Sequence, residues 1–145
     1  MTPQNRAEKS AAAMWAKDNA SKSLGIRLER TAPGQADLTM TVTADMLNGH
    51  GICHGGYIFT LADSAFAFAC NSYNQLVVAM QNQITYLAPA RSGERLTAQA
   101  IEQSRTGRSG IYDVTVTGQD GRTIALFRGL SRTISGQHFP EEKSE

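Results

Sequence analysis

Cysteine is nearly absent from this sequence. The two present, Cys53 and Cys70, are too few to build a disulfide framework in a chain of 145 residues, and both are read as reduced. Charge of one sign is nowhere concentrated. The formal net charge is +1 and no block of like charges occurs, which argues against nucleic acid or an anionic membrane as partner. Long hydrophobic runs are missing too. The first twenty residues carry Arg6, Glu8, Lys9, Lys17 and Asp18 with no uninterrupted apolar stretch, so neither a signal peptide nor an anchor is expected. The most apolar segment, Gly55 to Cys70, falls short of the ~20 residues that a bilayer-spanning helix needs. No membrane partner and a cytoplasmic location are therefore the expectation. Internal repeats, low-complexity linkers and a Gly-x-Ser-x-Gly elbow are also absent. His50, Cys53, His54 and Asp63 match no familiar zinc spacing, so no metal is expected.

What is present fits one domain over residues 1–145, long enough to bury a single core. An alanine-rich stretch over about 6–20, with Met14 and Trp15 inside, predicts an amphipathic helix that Gly25 ends. Gly25–Ala32 and Gln35–Thr43 flank Pro33-Gly34 and read as a hairpin, because Ala36, Leu38, Met40 and Val42 alternate with polar residues. Four more strands are expected at Leu76–Tyr86, Glu94–Gln103, Gly110–Thr117 and Arg122–Ile134, arranged as a meander, with Gln119-Asp120-Gly121 as a turn. The polar tail from Gln137 to Glu145, including His138-Phe139-Pro140, is expected to be loose and solvent-facing.

Between the hairpin and the later strands lies the segment that organises the rest. Asn48 to Gly56 is rich in glycine and histidine, and it feeds a helix that is apolar on every face with Asp63 its single charged group. Such a helix has to be wrapped by a curved antiparallel sheet, giving an α+β fold. An unpaired carboxylate inside it is costly unless it shifts its pKa or finds a partner, and an acid in that position is a functional candidate. Gly55 and Gly56 start the helix, where backbone N–H groups have no intrahelical acceptor, and their lack of side chains lets a ligand carbonyl approach. That is the chemistry of an oxyanion hole for acyl transfer.

Eight residues separate Gly55 from Asp63, about 12 Å along a helix axis, too far for both to serve one small carbonyl. Two copies whose central helices run antiparallel about a two-fold axis remove the difficulty, because Gly55 of one then faces Asp63 of the other. A second copy also gives cover to apolar surface including Tyr57, Phe59, Phe66 and Phe68; these aromatics are alternatively an acyl pocket or plain core. Asp63 is suited to deprotonate water or to attack the carbonyl itself. Asn48 is suited to hold the carbonyl or the water through its amide, and His54 to orient the loop or assist proton transfer.

The run His54-Gly55-Gly56 followed by Asp63, with Met46-Leu47-Asn48-Gly49-His50 before it and Leu61-Ala62-Asp63-Ser64-Ala65-Phe66 around the acid, resembles the hotdog-fold thioesterases. Ile84-Thr85-Tyr86-Leu87-Ala88-Pro89, Gly107-Arg108-Ser109-Gly110-Ile111-Tyr112-Asp113 and Ala125-Leu126-Phe127-Arg128-Gly129 extend the likeness over roughly residues 12–134. Within that family the text is most like the branch that hydrolyses phenylacetyl-CoA in phenylacetate degradation. The resemblance implies a long helix wrapped by a curved antiparallel sheet, dimers paired into tetramers, and hydrolysis of aryl or acyl thioesters of coenzyme A with no metal or other cofactor. By position it makes Gly55 the oxyanion donor and Asp63 the base or nucleophile, with Asn48 and His54 completing a site across the interface. Family members carry a serine or threonine on the following strand to hold water, whereas Val77-Val78-Ala79-Met80 stands here. Arg105, Gly107, Arg108 and Ser109 form a turn suited to coenzyme A phosphates, with Arg128 and Arg132 a second set of cations; Gly56 and Tyr86 are candidate substrate contacts. Two rival activities share these residues: a hotdog hydratase or dehydratase, and an acyl-CoA sensor without turnover.

Overall fold

The computed structural model describes residues 1–142 of the chain. Helix α1 (Pro3–Trp15) begins at Thr2, whose hydroxyl accepts from the Asn5 N–H, with proline in the first turn, where its missing N–H loses nothing. The single helix expected over 6–20 is instead two. Asp18 accepts from the Ser21 N–H and starts a second short helix, α2 (Asn19–Ser23), because an aspartate side chain competes with the backbone for helical N–H groups. Gly25 follows with φ +70°, a conformation open to glycine, and turns the chain into the sheet.

The sheet contains β1 (Arg27–Ala32), β2 (Gln35–Thr41), β3 (Val77–Tyr86), β4 (Arg95–Thr106), β5 (Ser109–Thr117) and β6 (Thr123–Thr133), all antiparallel, in the order β1-β2-β4-β5-β6-β3. The meander expected of the last four strands holds only for β4-β5-β6. Between β2 and β3 the chain crosses the face of the sheet as α3 (Gly55–Cys70), so β3 enters at the far edge beside β6 and β2 is left to pair with β4. The pattern of β3 suits that edge: Val78 to Gln81 are exposed in sequence.

Helix α3 packs on β2, β4 and β5. Leu61, Ala62, Ala65, Phe66, Phe68 and Ala69 are buried with Leu38, Met40, Leu96, Val114, Val116 and Ile124, each large side chain stabilising the fold by about 1.5–3 kcal/mol. Phe66 lies against β6 at Gly129, where an added Cβ would sit 2.7 Å from its ring. Phe66 and Phe68 are thus core of one chain and offer no surface to a second copy, contrary to expectation. Tyr57 and Phe59 are half-buried, with Phe59 edge-on to Phe127 at 5.6 Å.

The tail is docked as far as Glu141. Asn74 is buried with φ +56°; its Oδ1 accepts from the His138 and Phe139 N–H groups and its Nδ2 donates to the Phe139 carbonyl. Glu141 pairs with Arg6 at 2.7 Å. His138 Nε2 lies 2.8 Å from Asn71 Oδ1 and 3.0 Å from the Gln75 carbonyl; both are acceptors, so this nitrogen bears the proton. Polarity in this segment serves hydrogen bonds to the body, and the expectation of a loose, solvent-facing tail is corrected for residues 138–141; Lys143 to Glu145 lie outside the described residues. No described helix is long and apolar enough to cross a membrane.

Candidate active site

The loop before α3 is fastened at several points. Asn48 Oδ1 accepts from the His50 and Ile52 N–H groups, the Asn48 N–H donates to Ile52, the Cys53 N–H to Ala90, and the His54 N–H to Met46. The amide oxygen of Asn48 is therefore committed to the loop, which leaves its Nδ2 as the group to offer a ligand. His54 caps the helix: its Nδ1 accepts from the Gly56 N–H at 2.9 Å. That bond places the imidazole proton on Nε2, and it removes the Gly56 N–H from any oxyanion role. Only the Gly55 N–H of the glycine pair remains, and among the described residues it has no acceptor.

The side-chain space beside Gly55 is already filled. A Cβ there would lie 2.8 Å from Tyr86 Cζ, and the Tyr86 hydroxyl donates to the Gly55 carbonyl at 2.8 Å. Asn48, Gly55 and Tyr86 line a cavity of about 520 Å³ whose other walls are Ile52, Cys53, Ile58, Leu87, Ala88 and Pro89. The lining is mostly apolar, with the Gly55 backbone, the Asn48 amide and the Tyr86 phenol as its polar members. A groove of about 550 Å³ between α1 and β1 contains none of the sequence-derived candidates.

Asp63 lies elsewhere. It sits two turns further along the unbroken helix, half-buried, and its Oδ1 accepts from Asn82 Nδ2 at 2.8 Å. Burial pushes its carboxyl above the ordinary aspartate range, and the Asn82 hydrogen bond opposes part of that rise. Strand β3 runs opposite to α3, so Tyr86 meets the helix start and Asn82 meets Asp63. Within one chain, Gly55 and Asp63 do not converge.

The arginine turn lies at the other end. Register pairs Thr106 with Ser109, Ser109 with Arg132, and Arg132 with Val78 at the start of β3. Val77 donates to Asn71 just past the end of α3, so Arg105, Gly107, Arg108, Ser109 and Arg132 gather by the C-terminus of the helix, remote from Gly55. Arg105 stacks on Tyr73 at 3.7 Å from the ring centroid and donates to Gln75, yet all five residues are exposed. Arg128 belongs elsewhere: it is tied to Asp113 by bonds of 2.7 and 2.8 Å. Of His50, Cys53, His54 and Asp63, Cys53 is buried with its thiol pushed up to about 11 by desolvation; no group of three metal-ligating side chains is close enough among the described residues to hold an ion.

Asn82 is the residue that sequence reading missed. A bulge between Ala79 and Gln81 changes which residues of β3 face the helix: Val77 and Ala79 lie on that side before it, and a pattern read forward from them by twos lands on Gln81 instead of Asn82. Counting back from Tyr86 by twos gives Ile84 and Asn82, and that was the available signal.

Residues 50–125 match the model of the Thioesterase superfamily. The chain is similar to the acyl-coenzyme A thioesterase PaaI of Escherichia coli strain K12, 46% identical over 132 residues that cover 91% of this chain and 94% of that one. The solved structure of E. coli PaaI, from the phenylacetic acid degradation operon, superimposes with a TM-score of 0.92 at 44% identity, covering 94% of this chain and 99% of that chain. A phenylacetic acid degradation protein PaaI from Thermus thermophilus, solved as a mutant, gives a TM-score of 0.78 at 37% identity over 81% of this chain and all of that one. A Streptococcus mutans protein solved with acetyl CoA gives 0.74 at 27% identity, covering 77% and 90%.

Proposed function

The chain belongs to the thioesterase superfamily, with the hotdog architecture of a sheet wrapped on one long helix, and is a thioester hydrolase; from that premise we propose that it hydrolyses phenylacetyl-CoA or ring-hydroxylated phenylacetyl-CoA to the free acid and coenzyme A. The observation that carries this reading is that Gly55, whose N–H has no acceptor among the described residues, lines a mostly apolar cavity of about 520 Å³ together with Asn48. The thioester carbonyl oxygen accepts from the Gly55 N–H, where developing negative charge also meets the positive end of the helix. The cavity behind it takes the aryl group, and the likeness to E. coli PaaI supports an aryl acyl chain.

The acid comes from a second copy. β3 is an edge strand whose outer run exposes Val78 at 46% and Met80 at 57%, and both become covered if a second β3 pairs with it antiparallel. The two central helices then run side by side in opposite directions, and Asp63 of one faces Gly55 of the other. The same operation carries the exposed Arg105, Arg108 and Arg132 end toward the partner's Gly55, on the side where the coenzyme A phosphates leave the site. Two such dimers pair into a tetramer.

As a base, Asp63 takes a proton from water, the water oxygen bonds to the carbonyl carbon, the C–S bond breaks, and the thiolate leaves as thiol with that proton. As a nucleophile, it bonds to the carbonyl carbon itself, the C–S bond breaks and the thiolate leaves; water then cleaves the resulting anhydride to the free acid and the Asp63 carboxylate, and the proton so released goes to the thiolate. Neither route needs a metal or other cofactor. A panel of coenzyme A thioesters with thiol detection tests the proposal. Phenylacetyl-CoA and its hydroxylated relatives should release thiol faster than straight-chain acyl-CoAs. Loss or gain of enoyl absorbance without thiol would assign a hydratase, and tight binding without either would assign a sensor.

A further inference from the structure

The contact that holds Asp63 is more specific than burial requires. Asn82 Nδ2 donates to Asp63 Oδ1 at 2.8 Å, while the other end of the same amide, Asn82 Oδ1, is buried with no hydrogen-bond partner among the described residues. An unsatisfied amide oxygen is unfavourable, and an apolar side chain of similar shape would avoid it. The sheet has no use for the amide either. Across the ladder Asn82 pairs with Gly129, and the Phe66 ring fills the space that Gly129 leaves open. The one partner that gives a polar residue a reason to stand here is the carboxylate.

We propose that Asn82 is a positioning residue for Asp63: its amide anchors Oδ1, so that Oδ2 is the oxygen presented to the thioester, and it keeps the carboxylate in its ionised, reacting form. This rests on the reading of Asp63 as the reacting acid. The bond as found suits an ionised partner, because N–H donates to a carboxylate, and it opposes the desolvation that favours the neutral acid. Few other charges bear on the pair. Helix α3 supplies Cys70, two turns on and buried; β5 supplies Tyr112, whose hydroxyl is spent on Glu102. β6 supplies Gly129 opposite Asn82, with the neighbouring Arg128 tied to Asp113, and α2 supplies Ser21, bonded to Ser64.

Two variants and two readouts test this. Asn82→Leu keeps the branched shape, at somewhat greater volume, and removes the donor. Its melting temperature should match or exceed wild type, its kcat should fall about 10- to 100-fold with KM changed less than about threefold, and the acid limb of its kcat–pH profile should move upward. Asn82→Asp sets a second carboxylate against Asp63, the pair then shares a proton, and the acid limb should move further in the same direction. Wild-type kcat and an unmoved acid limb in both variants would overturn the proposal. Carbon-13 carboxyl titration of Asp63 by NMR, without substrate, separates this claim from the proposed activity. An upward move in Asn82→Leu supports the positioning role even if no thioester is turned over, and an unchanged titration refutes it whatever the activity.

Discussion

Tyr86 occupies the place where a side chain on Gly55 would be, 2.8 Å from the position of its Cβ, and donates a hydrogen bond to the Gly55 carbonyl. The residue that leaves the helix start bare is thus also the residue that a phenol closes over. Gly55→Ala keeps the N–H but has to displace that ring and with it a wall of the cavity, so that a carbonyl no longer reaches the N–H. A fall in kcat of about 100- to 1,000-fold is expected, comparable to the loss of an oxyanion donor. Tyr86→Phe keeps the ring and loses one exposed hydrogen bond, so its effect should stay near tenfold or less. Steady-state kinetics checks both: near-wild-type kcat in Gly55→Ala would show that the bare Cβ position is not needed for turnover.

Asp63→Asn should abolish turnover while leaving coenzyme A binding and oligomeric state unchanged. It should also stabilise the protein at neutral pH. Burial raises the folded-state pKa of this acid, so ionisation disfavours folding: the penalty is absent below the unfolded value near pH 4, where the carboxyl is neutral in both states, and grows as pH rises toward the folded value. Thermal melts of both proteins from about pH 3.5 to 8 should show the variant gaining on wild type as pH rises. Equal melting temperatures across that range would contradict the burial of this carboxylate.

His54 is read as a cap more than as a proton carrier. His54→Ala should destabilise α3 by about 0.5–2 kcal/mol, and His54→Asn, which caps comparably, should restore that loss. Denaturant melts measure the first effect. If His54→Asn regains stability and most of the activity, the imidazole is structural; if stability returns without activity, it takes part in proton transfer.

Asn74→Ala removes the acceptor of two part-buried backbone N–H groups, His138 and Phe139, and should cost about 1–3 kcal/mol. Hydrogen exchange should report loss of protection at those two amides with the central sheet unchanged. Unaltered protection there would mean that the Arg6–Glu141 pair and the His138 bonds to Asn71 and Gln75 hold the tail without Asn74.

Much of this was legible before any coordinates. The helix from Gly55 to Cys70 was visible because its apolar residues leave no polar face, and the strands β2, β4 and β5 were visible because Leu38, Leu96 and Val114 alternate with polar neighbours in unbroken phase. What failed has physical reasons. Strand order depends on where the chain crosses the sheet, and no local pattern in Val77–Tyr86 reports that it pairs with β6. The bulge at Ala79–Gln81 hid Asn82, the side chain bonded to the Asp63 carboxylate. Phe66 and Phe68 look like surface aromatics on a helix too apolar for one sheet, but Gly129 gives the first of them a seat on the backbone. Of the two glycines at the helix start, sequence had no means to tell that His54 takes the second N–H.

The separation of Gly55 from Asp63 by about 12 Å of continuous helix is the reason the proposed site requires two chains. Co-expressing inactive Asp63→Asn with inactive Gly55→Ala tests it directly. A protomer of the first kind still offers Gly55 and one of the second still offers Asp63, so random pairing should rebuild about one quarter of the wild-type sites. Thioesterase activity near that fraction, from two proteins that are each inactive, is the predicted result. Mixed oligomers, verified by mass spectrometry, that release no thiol above the level of either parent would show that each site lies within a single chain.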